Sequence, residues 1–227
     1  MAWRSVALGI PARLHLRAAP PLWILLTVDA FLIAVHAFVV GNEKAIFAIR
    51  FDIDTATRDF FSLTRDRSLG EHWEYAKTGL ATVAFAVAAK RRRTALYAVL
   101  AGLLALATLD NALGLHEAVG RWTGSALAEL SFFGAVGVIG LALLARCWPR
   151  NAVEAGNGRL ALKLLLLLGA FVALGDYLTS TVTHVVPRTR AVGGVIEDGG
   201  ELLSISLLLA FAHALASEGS ARARIVL

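Results

Sequence analysis

Six stretches of this chain are apolar for long enough to cross a lipid bilayer, and that leaves few folds open. They cover about residues 21–40, 73–89, 94–115, 126–146, 160–182 and 198–216. A span needs about 20 mostly apolar residues. Within hydrocarbon the backbone must satisfy its own hydrogen bonds, so each stretch is expected to be a helix. Hydrophobic residues make up 57% of the 227, above the roughly 45–50% of a soluble domain. The expectation is an all-α polytopic bundle of six transmembrane helices forming one domain, with neighbours antiparallel. The one long connection, residues 41–72, is read as an outer loop. Within it Asp54 is placed to cap a short interfacial helix at "TATRDFF".

The first apolar run carries Asp29 and His36, so it is read as a span and not as a cleaved signal core. The lone Cys147 excludes an internal disulfide and any CxxC motif. Of 22 basic residues, 13 fall on one side of the expected bundle, in Arg4, Arg13, Arg17, the "KRRR" of 90–93 and the inner turns and tail. Of 17 acids, 14 fall on the other side. The positive-inside rule then places both termini in the cytoplasm. The basic residues are scattered over inner loops, so nucleic acid is not an expected partner. Membrane lipids are, and a membrane-protein partner or a second copy could join them.

Polar residues within the spans are not scattered. Asp110 lies 16 residues beyond Thr94, about 24 Å along a helix that rises 1.5 Å per residue, which is the outer rim of the hydrocarbon. Asp110 and Glu117 are seven apart and are expected to share a stripe, with His116 beside them. Asp176, Ser180 and His184 follow at spacings of four on the fifth span. Glu197, Glu201 and Ser204 line the start of the sixth, and Glu71, Glu74 and Thr78 the start of the second. Four helices thus bring polar stripes to one depth. In the first span, Asp29 and His36 are also seven apart, and a buried acid there should face the bundle interior. Gly134, Gly137 and Gly140 in the fourth span are expected to allow close helix packing.

Packed carboxylates need cations, protons or shared hydrogen bonds to persist. One solution is a divalent metal, zinc or iron, held by Asp110, His116, Asp176, His184 and Glu197. Glu117 or Glu201 would then act as general base, and Ser180 as a further catalytic group. Acids in the first turn of an inward helix also suit its dipole, which offers Glu71, Glu74 and Glu197 a purely structural role. Lys77 and nearby arginines could neutralise the cluster.

At "RDRSLGEHWEYAK", "LDNALGLHE" and "EDGGELLSISL" the chain resembles a group of bacterial multi-span membrane proteins of unassigned activity. Those carry an acid pair before "HE" at the end of one span, where this chain has Asp110 and Asn111, and "EDGGE" at the start of the last. The resemblance implies a shared fold and polar site, a location in the inner membrane of a bacterium, and no particular reaction. Alkaline ceramidases and adiponectin receptors are similar in chemical type only. Here Asp176 precedes Ser180 in the reverse order, and no HxxxH is present. The leading expectation is a metal-dependent membrane hydrolase acting on a lipid-like substrate from the outer leaflet. Its alternatives are a non-catalytic subunit of a membrane complex, or a proton or cation conduit through Asp29 and His36.

Overall fold

The computed structural model describes residues 20–43, 51–63, 68–180 and 189–217. Among them the chain is all-α, with eight helices and no strand. The long helices are α1 (Pro20–Glu43), α3 (Leu69–Arg92), α4 (Ala95–Leu113), α6 (Ala126–Arg146), α7 (Ala152–Ser180) and α8 (Thr189–Ser217). Two short ones, α2 (Thr55–Phe61) and α5 (Leu115–Thr123), sit in the connections.

Local chemistry sets the boundaries. Asp54 caps α2 as its sequence suggests, accepting from the Thr57 N–H at 2.9 Å and the Thr57 hydroxyl at 2.6 Å. The Thr57 hydroxyl, then its N–H, hold the Asp54 carboxyl below its ordinary range. Ser68 caps α3 by accepting from the Glu71 N–H at 3.2 Å. α3 ends on Arg93 in the left-handed region (φ 51°), with only Thr94 before α4 begins.

The 94–115 stretch is not one helix. Gly114 adopts φ 61° and its N–H returns to the Asp110 carbonyl, which closes α4 and starts α5 in a new direction. The helical stripe expected to join Asp110 to Glu117 is therefore broken between them.

Helix directions follow from cross-helix contacts. Lys77 reaches Ser206 and Arg91 reaches the Ala216 carbonyl, so α3 and α8 run parallel. Asp29 meets Ser206 while Ile33 lies against Gly199, so α1 is antiparallel to α8. Tyr75 meets the Asn111 carbonyl at the other end of α4, and Leu103 and Leu96 face Gly140 and the Trp148–Gly158 corner in turn. The six long helices thus alternate in direction.

Among the described residues, three helices are long and apolar enough to cross a membrane, over Leu22–Val39, Ala95–Leu113 and Gly193–Ser217, and Gly134–Arg146 is a shorter apolar stretch. The sequence suggested six. α3 falls short because Glu71, Glu74 and Lys77 occupy its first half, whereas α6 and α7 each include side chains outside the described residues. Large apolar side chains face outward all the same, among them Trp23 and Phe31 on α1, Val138 and Leu141 on α6, and Leu166 on α7. That much exposed apolar surface suits lipid and not water.

The core lies between α3, α4 and α8. Phe85, which is fully buried, stacks on Tyr97 and meets Phe211 edge-on, with ring centres 6.2 Å apart in both pairs. Small residues Ala81, Ala88 and Ala212 let the backbones close around them. The glycine stripe of α6 does not take part as expected. Gly134 and Gly137 face nothing within 4 Å among the described residues, and only Gly140 approaches a neighbour, Leu103. Closer approaches lie on α3 and α7, where a Cβ on Gly70 or Gly158 would meet Leu63 or Leu96, and on α8. A Cβ on Gly200 would lie 2.2 Å from Phe171 of α7, and one on Gly199 would lie 3.3 Å from Ile33 of α1.

Candidate functional site

A charged network lies in the middle of the bundle. Lys77 on α3 and Asp29 on α1 pair at 2.8 Å with both side chains fully buried. The Lys77 ammonium has three donors, and each finds an acceptor: Asp29, the Leu202 carbonyl at 2.6 Å and the Ser206 hydroxyl at 3.0 Å. Asp29 also accepts from the Trp73 indole N–H at 2.9 Å and from the Ser206 hydroxyl at 2.5 Å. The Trp73 ring flanks the ammonium, 5.8 Å from its centre. A buried pair survives only when its remaining valences are met, and here they are.

His36 is buried as its spacing from Asp29 predicts, yet it serves another purpose. Its Nδ1 accepts from the Leu63 N–H at 3.0 Å and so ties α1 to the segment after α2. That fixes the tautomer with the proton on Nε2. Asp29 and His36 share a helix face without sharing a partner among their described bonds.

One turn from Lys77 toward the start of α3, acids gather. The Glu74 and Glu201 carboxyl groups lie within hydrogen-bonding reach of one another, with Asp198 and Glu197 close enough to repel them. Two carboxyl groups can share a hydrogen bond only if one of them carries a proton. Lys77 lies within electrostatic range of Glu74. Two further groups lie on the same stretch of α8, the Asp198 Oδ2 atom and the Ser204 hydroxyl, both buried and without a partner among the described residues. Ser204 is 1% exposed and lies on the Glu197–Glu201 stripe of α8, one turn deeper.

Glu71 is held by the Tyr75 hydroxyl, which is also 2.9 Å from the Asn111 carbonyl of α4. That contact brings the polar end of α4 to the level of the α3 acids, as the stripes suggested. Asp110 is buried beside it, 4% exposed. The side chains of His116, Glu117, Asp176 and Ser180, and the whole of His184, lie outside the described residues. Among those that are described, no three His, Cys, Asp or Glu side chains converge as a metal-ligating group.

The Asp29–Lys77 pair was not foreseen as a pair. Its signal was present: Asp29 is the one acid of the first span and Lys77 the one base of the second, and buried charge without a partner is costly. A second network at the opposite end was missed as well. Arg92 pairs with Glu154 at 3.0 Å and donates to the Leu215 carbonyl at 3.0 Å, while Arg91 caps the Ala216 carbonyl and Tyr97 donates to Glu154. These arginines close the C-terminal end of α8, where free carbonyls and the helix dipole welcome positive charge.

About 21 Å of α3 separates Lys77 from Arg91 at 1.5 Å per residue. Ala81, Phe85 and Ala88 fill that interval with no exposed surface. Between the acidic and basic ends, α3 thus turns only apolar side chains into the core among these positions.

A family model described as "Domain of unknown function (DUF8692)" matches residues 24–215. No curated protein and no solved structure matches the chain.

Proposed function

We propose, for a chain that belongs to the DUF8692 family, an integral membrane protein that exchanges protons or cations at an acidic site open to one side only. In this reading all six long helices cross the membrane, both ends of the chain face the cytoplasm, and the acidic end faces out. The observation that carries it is the pairing of Glu74 with Glu201 among other acids, beside a buried Asp29–Lys77 pair. Carboxyl groups this crowded hold protons or positive ions, and charge inside a span is expensive enough to mark a site. The orphaned Ser204 hydroxyl and Asp198 oxygen supply hard oxygen donors with room for a further bond. An all-oxygen set suits protons or a hard cation better than zinc. In this reading the apolar packing of α3 beneath the acids favours a binding or half-way site over a conduit.

Infrared difference spectra of the reconstituted protein during a pH titration test the proposal. A protonated carboxyl stretch should persist above the ordinary range of glutamate in the wild type. It should be lost or shifted in Glu201→Gln and in Glu74→Gln. If both variants titrate as the wild type does, these acids hold no shared proton and the proposal fails.

A metal-dependent hydrolase at the same end is the second reading. It draws on the burial of Asp110 and on the Tyr75–Asn111 contact, which bring the start of "DNALGLHE" to the level of the α3 acids. Elemental analysis separates the two. Stoichiometric zinc or iron in the purified protein, lost in His116→Ala and His184→Ala, supports the hydrolase, and a metal-free wild type removes it.

A further inference from the structure

The opposite end of the molecule carries an imbalance that the acidic site does not use. Five basic side chains, Lys90, Arg93, Arg146, Arg150 and Arg159, are exposed there, on the α3–α4 and α6–α7 turns and the first turns of α7. None of them forms an ion pair among the described residues, where the ion pairs of that end reduce to Arg92 with Glu154. Glu154, the one acid described at that level, is already engaged: it accepts from Arg92, from Tyr97 and from Asn157 at 3.4 Å.

The two turns are packed together. A Cβ on Gly158 would lie 2.8 Å from Leu96 of α4 and 3.3 Å from the Trp148 ring. α7 therefore passes directly under the corner that carries Arg150, and it places Arg159 one residue from that contact. Arg93 lies three residues before Leu96 on the same corner. Trp148 is half-buried between them, an indole at the boundary where lipid-facing residues such as Leu143 and Val153 give way to charge.

We propose that this corner is a binding site for the phosphate headgroup of anionic phospholipid, with Arg93, Arg150 and Arg159 as its charged donors and Trp148 as its seat at the membrane interface. The proposal rests on the membrane reading above and not on the acidic site. Guanidinium groups match phosphate oxygens two at a time, and several basic groups beside a span are the chemistry that recognises anionic lipid. Lipid is the occupant because the corner sits at the edge of the apolar belt, within reach of the first shell of headgroups.

The test is lipid retention by the full chain. The protein is reconstituted into phosphatidylglycerol or phosphatidylcholine vesicles and re-extracted, and the lipid still bound is counted by native mass spectrometry. The wild type should retain phosphatidylglycerol about tenfold over phosphatidylcholine. Arg93→Asn, Arg150→Gln and Arg159→Gln together should abolish that preference, and the three Lys replacements should keep most of it. Should the neutral triple variant fail to fold, the Lys variant and the wild-type preference still decide. Equal retention of the two lipids by the wild type, or an unchanged preference in the neutral variant, overturns the proposal. Competition by millimolar inorganic phosphate also overturns it, since it would mark a free-anion site. Failure of the wild type to enter either vesicle would instead sink the membrane reading itself.

Discussion

Lys77 is the residue on which the centre of the molecule turns, because its ammonium holds three helices at once. It bonds α1 through Asp29 and α8 through both Leu202 and Ser206. Losing it leaves Asp29 buried with a charge that only Trp73 and Ser206 still partner. Removing one member of a buried pair typically costs about 3–5 kcal/mol. Lys77→Met and Asp29→Asn are each expected to destabilise the protein by an amount in that range. The double variant should recover a large part of the loss, because neither charge then remains. Unfolding in mixed detergent micelles measures all three. A double variant as unstable as the sum of the singles would show that the two groups act independently. His36 fits the same logic on a smaller scale: His36→Ala strands the buried Leu63 N–H, at a cost of about 1–3 kcal/mol.

At the scale of the elements, packing is governed by the two glycines of "EDGGE" and not by the glycine repeat that stands out to the eye. Gly200 faces Phe171 so closely that a methyl group must displace backbone-proximal atoms, while at Gly199 the Ile33 side chain need give way by only a few tenths of an ångström. Gly200→Ala is therefore expected to destabilise by about 1–3 kcal/mol through overpacking, and Gly199→Ala by less. Gly134→Ala and Gly137→Ala meet open space and should stabilise by up to about 1 kcal/mol through helix propensity. Thermal midpoints of the four variants give the order directly. If Gly134→Ala proves as harmful as Gly200→Ala, the repeat packs against something the described residues do not include.

The same contrast shows what the residues alone make legible. Apolar length foretold the long helices, and the Asp54 cap foretold α2, because both are local properties. The break at Gly114 was written in "NALGLH" as a glycine after a helical run, yet an apolar stretch reads through it. Which glycines touch a neighbour depends on helix rotation, which no spacing rule supplies. The acids of α3 and α8 were legible as stripes at one depth. Their pairing as Glu74 with Glu201, and the separation of Asp29 from His36, required the third dimension.

For the molecule as a whole, charge is divided between two ends. Acids crowd the end where α3 and α8 begin, and arginines crowd the end where they finish. The alternation of the six long helices brings Pro20 and Ser217 to the arginine end together. Positive charge near short loops is retained in the cytoplasm during insertion, which sets the expected orientation. The lone cysteine makes this testable without adding a tag. Cys147 is the residue that closes α6, half-exposed and one position from Arg146. A membrane-impermeant maleimide should leave it unlabelled in intact spheroplasts and label it in inverted vesicles. In a Cys147→Ser background, Asn111→Cys places the thiol on an exposed position at the acidic end, and its accessibility should be the reverse. Labelling of Cys147 from outside would invert the orientation, and the acidic site would then open to the cytoplasm. Labelling of both positions from one side would be graver. It would mean that α6 does not carry the chain across between those residues, and with that crossing gone the exposed apolar belt would need another explanation than lipid.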